Sequence, residues 1–107
     1  MARVALLCPD LLFGSKVEGA LRAAGHEVVA PDVAADLLVV DLTTDVEDRL
    51  DAVRKADAPT LGFYSHVEQD VRRAAEQAGI DRVVPRSRMA REGPTLVERL
   101  LQESRAR

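Results

Sequence analysis

Apolar residues in this chain form short unbroken runs that alternate with stretches at helical spacing. The run Arg3-Val-Ala-Leu-Leu-Cys8, closed by Pro9-Asp10, predicts a buried parallel strand. Phe13, Val17, Leu21 and Ala24 then recur every third or fourth residue, and Gly25 marks the helix stop. His26 to Ala30 predicts a second strand ending at Pro31. In Asp36 to Leu42 four consecutive apolar residues lie between two aspartates, the pattern of a central strand buried on both faces. Thr44 with Glu47 fits a capping box for a helix that turns Val46, Leu50 and Val53 inward. Asp45–Arg49 and Asp51–Lys55 add acid-before-base pairs four apart on that helix. Pro59 opens a fourth strand, Thr60 to Tyr64, and Ser65 with Glu68 forms a second capping box. The helix that follows has a stripe of Val67, Val71, Ala74 or Ala75, and Ala78, and stops at Gly79. A fifth strand is predicted at Arg82 to Pro85, and Pro94 is expected to open a last helix carrying Leu96, Leu100 and Leu101.

Five strands alternating with helices predict a three-layer α/β sandwich around a parallel sheet. Functional residues are then expected at the carboxyl ends of the strands. Those ends are Cys8-Pro9-Asp10, Asp41-Leu-Thr43, Tyr64-Ser-His66 and Pro85-Arg-Ser87. One interval breaks the alternation. Only residues 31–35 separate the second and third strands, too few for a helical crossover. An extended link reaching roughly 20 Å is expected instead. It leaves one face of the sheet thinly covered, with an edge open to another subunit.

Composition narrows the function classes. The 107 residues fit one domain, without linker, repeat or low-complexity tract. Fifteen basic against eighteen acidic residues give a charge of -3, opposite in sign to a polyanion binder. Phe13, Phe63 and Tyr64 are the only aromatic residues, so there is no base-stacking platform, and no nucleic-acid partner is expected. The single cysteine excludes an internal disulfide, and no Cys/His zinc spacing exists. The first ten residues have neither a secretory signal nor the length of a membrane span, so a cytoplasmic protein with no membrane partner is expected.

Thirteen arginines against two lysines are accounted for by coding bias rather than ligand recognition. Residues 81–107 hold seven arginines and four acids, a solvated face by default and a contact surface for an acidic partner otherwise. His26 and His66 have no second ligand at metal spacing and are assigned to structure or solvent. Ser65 and Ser87 are strand-end hydroxyls without a His/Asp relay. No Gly-x-Gly-x-x-Gly follows the first strand, which disfavours a dinucleotide site.

With these strand ends in place, the chain resembles a response-regulator receiver domain over nearly its whole length. Asp36-Leu-Leu-Val-Val-Asp41-Leu42 is similar to the receiver third strand, which ends in the phosphoryl-accepting aspartate. Ala58-Pro-Thr-Leu-Gly-Phe-Tyr-Ser65 is similar to the fourth strand, which ends in a phosphoryl-sensing hydroxyl. Ala78-Gly-Ile-Asp-Arg-Val-Val-Pro-Arg86 is similar to the stretch that leads to the receiver lysine. The resemblance implies the strand order 2-1-3-4-5 and a vestigial site of Asp10, Asp41, Ser65 and Arg86. It also implies an interface on the last strand and helix, with Arg82, Arg86, Arg88 and Arg91 as candidates.

The departures carry as much information. Receivers hold Mg²⁺ with an acidic pair after the first strand plus the acceptor aspartate. Here that pair falls on Cys8 and Pro9, with Asp10 one step further. A thiol and an imide nitrogen are poor ligands for a hard cation. Arg86 replaces the lysine, Ser87 the usual following proline, and Thr43-Thr44 runs straight into a helix. The expected protein is therefore a non-enzymatic, stand-alone pseudo-receiver that acts by protein–protein contact, most simply with itself, and needs no cofactor. Without an output domain, its signal would pass to a separate partner. Two alternatives stay open. In one, Asp41 is a genuine phosphoacceptor that uses Mg²⁺, with Asp10 helping to hold the ion. In the other, Cys8 is a nucleophile like that of phosphocysteine carriers and low-molecular-weight phosphatases, whose loop amides hold phosphate. Residues 9–15 make a bulky, apolar loop with an acid beside the supposed anion, and a buried inert thiol is the simpler reading.

Overall fold

A computed structural model describes residues 2–65 and 69–106. The elements run β1 (Arg3–Leu7), α1 (Leu11–Ala23), β2 (Glu27–Val29), β3 (Leu37–Asp41), α2 (Val46–Lys55), β4 (Thr60–Tyr64), α3 (Gln69–Gln77), β5 (Arg82–Pro85) and α4 (Arg86–Arg105). All four strand pairings are parallel, in the order β2-β1-β3-β4-β5. The chain is thus a three-layer α/β sandwich of the predicted order, and no helix joins β2 to β3.

The pleat explains the layers. Val4, Leu37, Val39, Leu61, Phe63 and Val84 point to one face, where α1 and α4 deliver Val17, Leu21, Leu96 and Leu100. Val40 and Leu42 point to the other, against Leu50 and Val53 of α2, Ala75 of α3, and Ile80. Each large apolar side chain buried this way contributes about 1.5–3 kcal/mol. Every residue of β3 and β4 is buried, as the unbroken apolar run of β3 predicts for a central strand. β2 is a three-residue edge strand, and its Glu27 meets Arg3 of β1 at 3.6 Å.

Two helices end at glycines with positive φ, Gly25 at 93° and Gly79 at 94°. In both, the next residue donates back across the last turn, His26 to Leu21 and Ile80 to Ala75, while the glycine N–H reaches Arg22 or Glu76. This bonding satisfies otherwise orphaned carbonyls and needs a left-handed residue that glycine adopts without strain.

Several local expectations are corrected. Ala24 is the exposed cap of α1 and no part of its buried stripe. No capping box forms at Thr44: Asp45 is the N-cap, in the left-handed region at φ 48°, with no side-chain cap bond. The Asp45–Arg49 pair forms at 3.9 Å, but Asp51 bonds Arg54 at 2.7 Å in place of Lys55. Pro94 lies inside α4, which starts eight residues earlier at Arg86. Burial of Met89 and Gly93 on the same stripe as Leu96 and Leu100 holds that first half in place. The second capping box, which needs Glu68, falls with Val67 and His66 outside the described residues. No helix among the described residues is long and apolar enough to cross a membrane.

Candidate functional site at the carboxyl edge of the sheet

Parallel strands bring the ends of β1, β3, β4 and β5 to one edge, and the candidate residues lie there. Asp41 closes β3 and is 2 % exposed. Its Oδ1 accepts from the Thr43 backbone N–H at 2.7 Å and from the Thr43 hydroxyl. This is the local turn that an aspartate makes with the residue two positions on. It also explains the missing capping box, because Asp41 holds the backbone that would have brought Thr44 to the helix start. The other oxygen, Oδ2, lies 3.7 Å from the Cys8 sulfur, which donates to it.

Asp10 is the N-cap of α1, as its position predicts: its Oδ1 accepts from the N–H groups of Leu12 and Phe13, both at 3.1 Å. Its Oδ2 is 3.2 Å from the Arg86 guanidinium. Arg86 also lies over the Phe13 ring, 4.3 Å from its centroid, and Phe13 packs on Phe63 at 5.0 Å. The resemblance put Arg86 and both aspartates in one vestigial site, where Arg86 could pair with Asp41. The structure pairs it with Asp10, because the cation stacks on Phe13, whose own helix begins at that acid.

Cys8 follows β1, partly buried, between the Asp10 carbonyl and the Asp41 carboxylate. Burial, with the nearby negative charge of Asp41, raises its pKa from 9.0 to about 11. A thiol in this setting stays protonated at neutral pH. Anion-holding cysteines sit in the opposite, electropositive environment. Ser65 is exposed just past β4.

The donor set decides the fit of a hard cation. Both oxygens of Asp41 and both oxygens of Asp10 already accept from protein donors, one of them from a cationic guanidinium. Pro9 offers no side-chain oxygen, and Cys8 offers a protonated sulfur. Among the described residues no group of three or more metal-binding side chains exists. These residues do not fit Mg²⁺, which wants unencumbered oxygen ligands near octahedral geometry.

The interface candidates lie on β5 and the start of α4. Arg82 bonds both Glu103 oxygens at 2.8 Å, Arg88 meets Glu92 at 3.4 Å, and Arg91 is exposed. His26 is buried, its Nδ1 accepting from the Ala2 N–H at 3.2 Å and its Nε2 3.5 Å from Glu98. It ties the start of β2 to Ala2 ahead of β1 and to α4. Phe13 and Thr43 were missed as site residues. The two-residue spacing from Asp41 was a readable signal for Thr43, whereas nothing in the sequence tied Phe13 to Arg86.

No family model and no curated protein matches the sequence. Solved structures do. A CheY-like response-regulator receiver domain from Methanospirillum hungatei JF-1 superposes with a TM-score of 0.85 at 13% identity, covering 99% of this chain and 98% of that one. The receiver domain of the putative response regulator NarL from Mycobacterium tuberculosis gives 0.73 at 20%, covering 94% and 96%. NtrX from Brucella abortus, in complex with ADP, gives 0.82 at 18%; it covers 98% of this chain, which spans only 27% of NtrX. The chain has the flavodoxin-like fold of response-regulator receiver domains.

Proposed function

We propose that the chain is a degenerate receiver, a signalling or scaffold module that works by contact with another protein and does not use Mg²⁺-dependent aspartyl phosphorylation. One observation carries the reading: every carboxylate oxygen of Asp10 and Asp41 is engaged by a protein donor. An aspartate that attacks phosphorus needs its developing charge neutralised by a metal or fixed cations. Here Asp41 faces a thiol and a threonine, while Arg86 is committed to Asp10. Asp41 then serves as a structural turn residue, and the receiver fold supplies shape rather than chemistry. The raised thiol pKa counts against a Cys8 nucleophile.

Calorimetric titration with magnesium tests the donor argument. No saturable binding is expected below about 10 mM. Binding that saturates in the micromolar to low-millimolar range and disappears in Asp41→Asn would show a working metal site and favour the phosphoacceptor.

A further inference from the structure

We propose that copies of this chain associate head to tail, with the Leu11–Leu12 protrusion of one seated in the groove that the missing helix leaves on the next. The inference rests on the contact reading above and names its two surfaces.

Leu11 and Leu12 are 83 % and 87 % exposed at the start of α1. They cannot turn inward, because the buried stripe of α1 is already Phe13, Val17 and Leu21. Two adjacent leucines held in water at a capped helix start form an apolar protrusion of the kind that marks an interaction site. On the opposite layer, the link of residues 31–36 leaves an open groove of about 450 Å³ between α2 and the sheet. Its floor is Ala5, Leu7 and Leu38, and its walls include Val33, Ala34 and Ala52. Alanine predominates where a covering helix would otherwise lie, so there is room for two leucine side chains. Val33, the third large apolar residue left exposed among the described residues, stands at this groove.

Charge chooses a second copy as the occupant. Residues 32–57, which form the link, β3, α2 and their connections, carry seven exposed acidic residues, the buried Asp41 aside, against three basic. Residues 82–105, which form β5 and α4, carry six arginines against three glutamates. α4 packs beside α1 on the face opposite α2. The protruding leucines therefore share their layer with the basic helix, and the groove lies in the acidic one. The complementary surfaces lie on opposite faces of the sheet, so each copy offers a protrusion to one neighbour and a groove to another. Contact of this kind grows beyond a dimer unless its rotation closes a ring.

Sedimentation velocity over a concentration series up to about 0.5 mM tests this, at low and at high salt. Species larger than a dimer are expected, weakening as salt rises. Leu11→Ser/Leu12→Ser and, separately, Ala34→Arg should each lower association about a hundredfold, with unchanged melting by circular dichroism because all three positions are exposed. Mixed together, the two variants should form dimers and nothing larger, since each keeps one working surface. Wild type that associates as strongly as both variants overturns the assignment of these surfaces while leaving the contact reading intact. Assembly that stops at a dimer, or a mixture that fails to pair, overturns the head-to-tail geometry. A strictly monomeric wild type removes self-association from both.

Discussion

Iodoacetamide should alkylate Cys8 in the folded protein about a hundredfold more slowly than in the urea-unfolded chain at the same pH, near 8. The reactive species is the thiolate, and raising the pKa from 9.0 to about 11 lowers its fraction by that factor. Burial is the larger cause and the Asp41 charge the second, so Asp41→Asn should recover part of the rate. Intact-mass kinetics would read both. Alkylation as fast as in the unfolded chain would show that the thiol does not sit in the environment described, and would revive a nucleophilic Cys8.

The same shift fixes a pH dependence. Between pH 9 and 11 the unfolded chain has released the thiol proton and the folded chain has not. The unfolded state then binds fewer protons, so stability falls as pH rises through that window. Below pH 9 the contribution is fully present. Urea midpoints should therefore drop more steeply in that window for wild type than for Cys8→Ser.

Phe63→Ala should cost about 3–5 kcal/mol, a large part of the stability of a domain this size. Phe63 is fully buried in β4, in the cluster that joins the sheet to α1 and α4, and its ring supports Phe13. Its loss opens a cavity beneath the Phe13–Arg86–Asp10 stack, so the effect reaches the carboxyl edge. Urea unfolding followed by circular dichroism measures the loss. A change below about 1 kcal/mol would mean that the packing between sheet and helices collapses around the gap far more readily than a close-packed core should.

The parts of the fold legible in the sequence are those set by burial and by backbone chemistry. β4 and β5 have the predicted bounds, because Pro59 and Pro85 mark one end of each and an apolar stretch follows Thr60 and Arg82. The two glycine helix stops were readable because positive φ selects for that residue. The absent helix followed from chain length alone. Pro94 misled because a proline is at home in a first helical turn, a local preference that says nothing about Met89. Buried at 1 % exposure against the sheet, Met89 draws the helix back to Arg86. The Thr44–Glu47 box failed for a similar reason: Thr43 bonds Asp41, and the backbone then passes through a left-handed Asp45 before the helix starts.

At the site, the residues were identifiable one at a time and their pairing was not. Asp10 as helix cap follows from its place before Leu11. Which acid takes Arg86 depends on the stacking of a residue 73 positions away in sequence, Phe13, and no local pattern encodes that contact. Leu11 and Leu12 were visible as apolar letters, yet only the register of α1 shows that they point into water.

The most direct measurement incubates the protein with a small-molecule phosphodonor and magnesium and follows its intact mass. The bonding of the two aspartates leads to no phosphate adduct under conditions that fully modify an active receiver. Addition of one phosphate to wild type, lost in Asp41→Asn and retained in Cys8→Ser, would contradict this and identify the chain as a working phosphoacceptor.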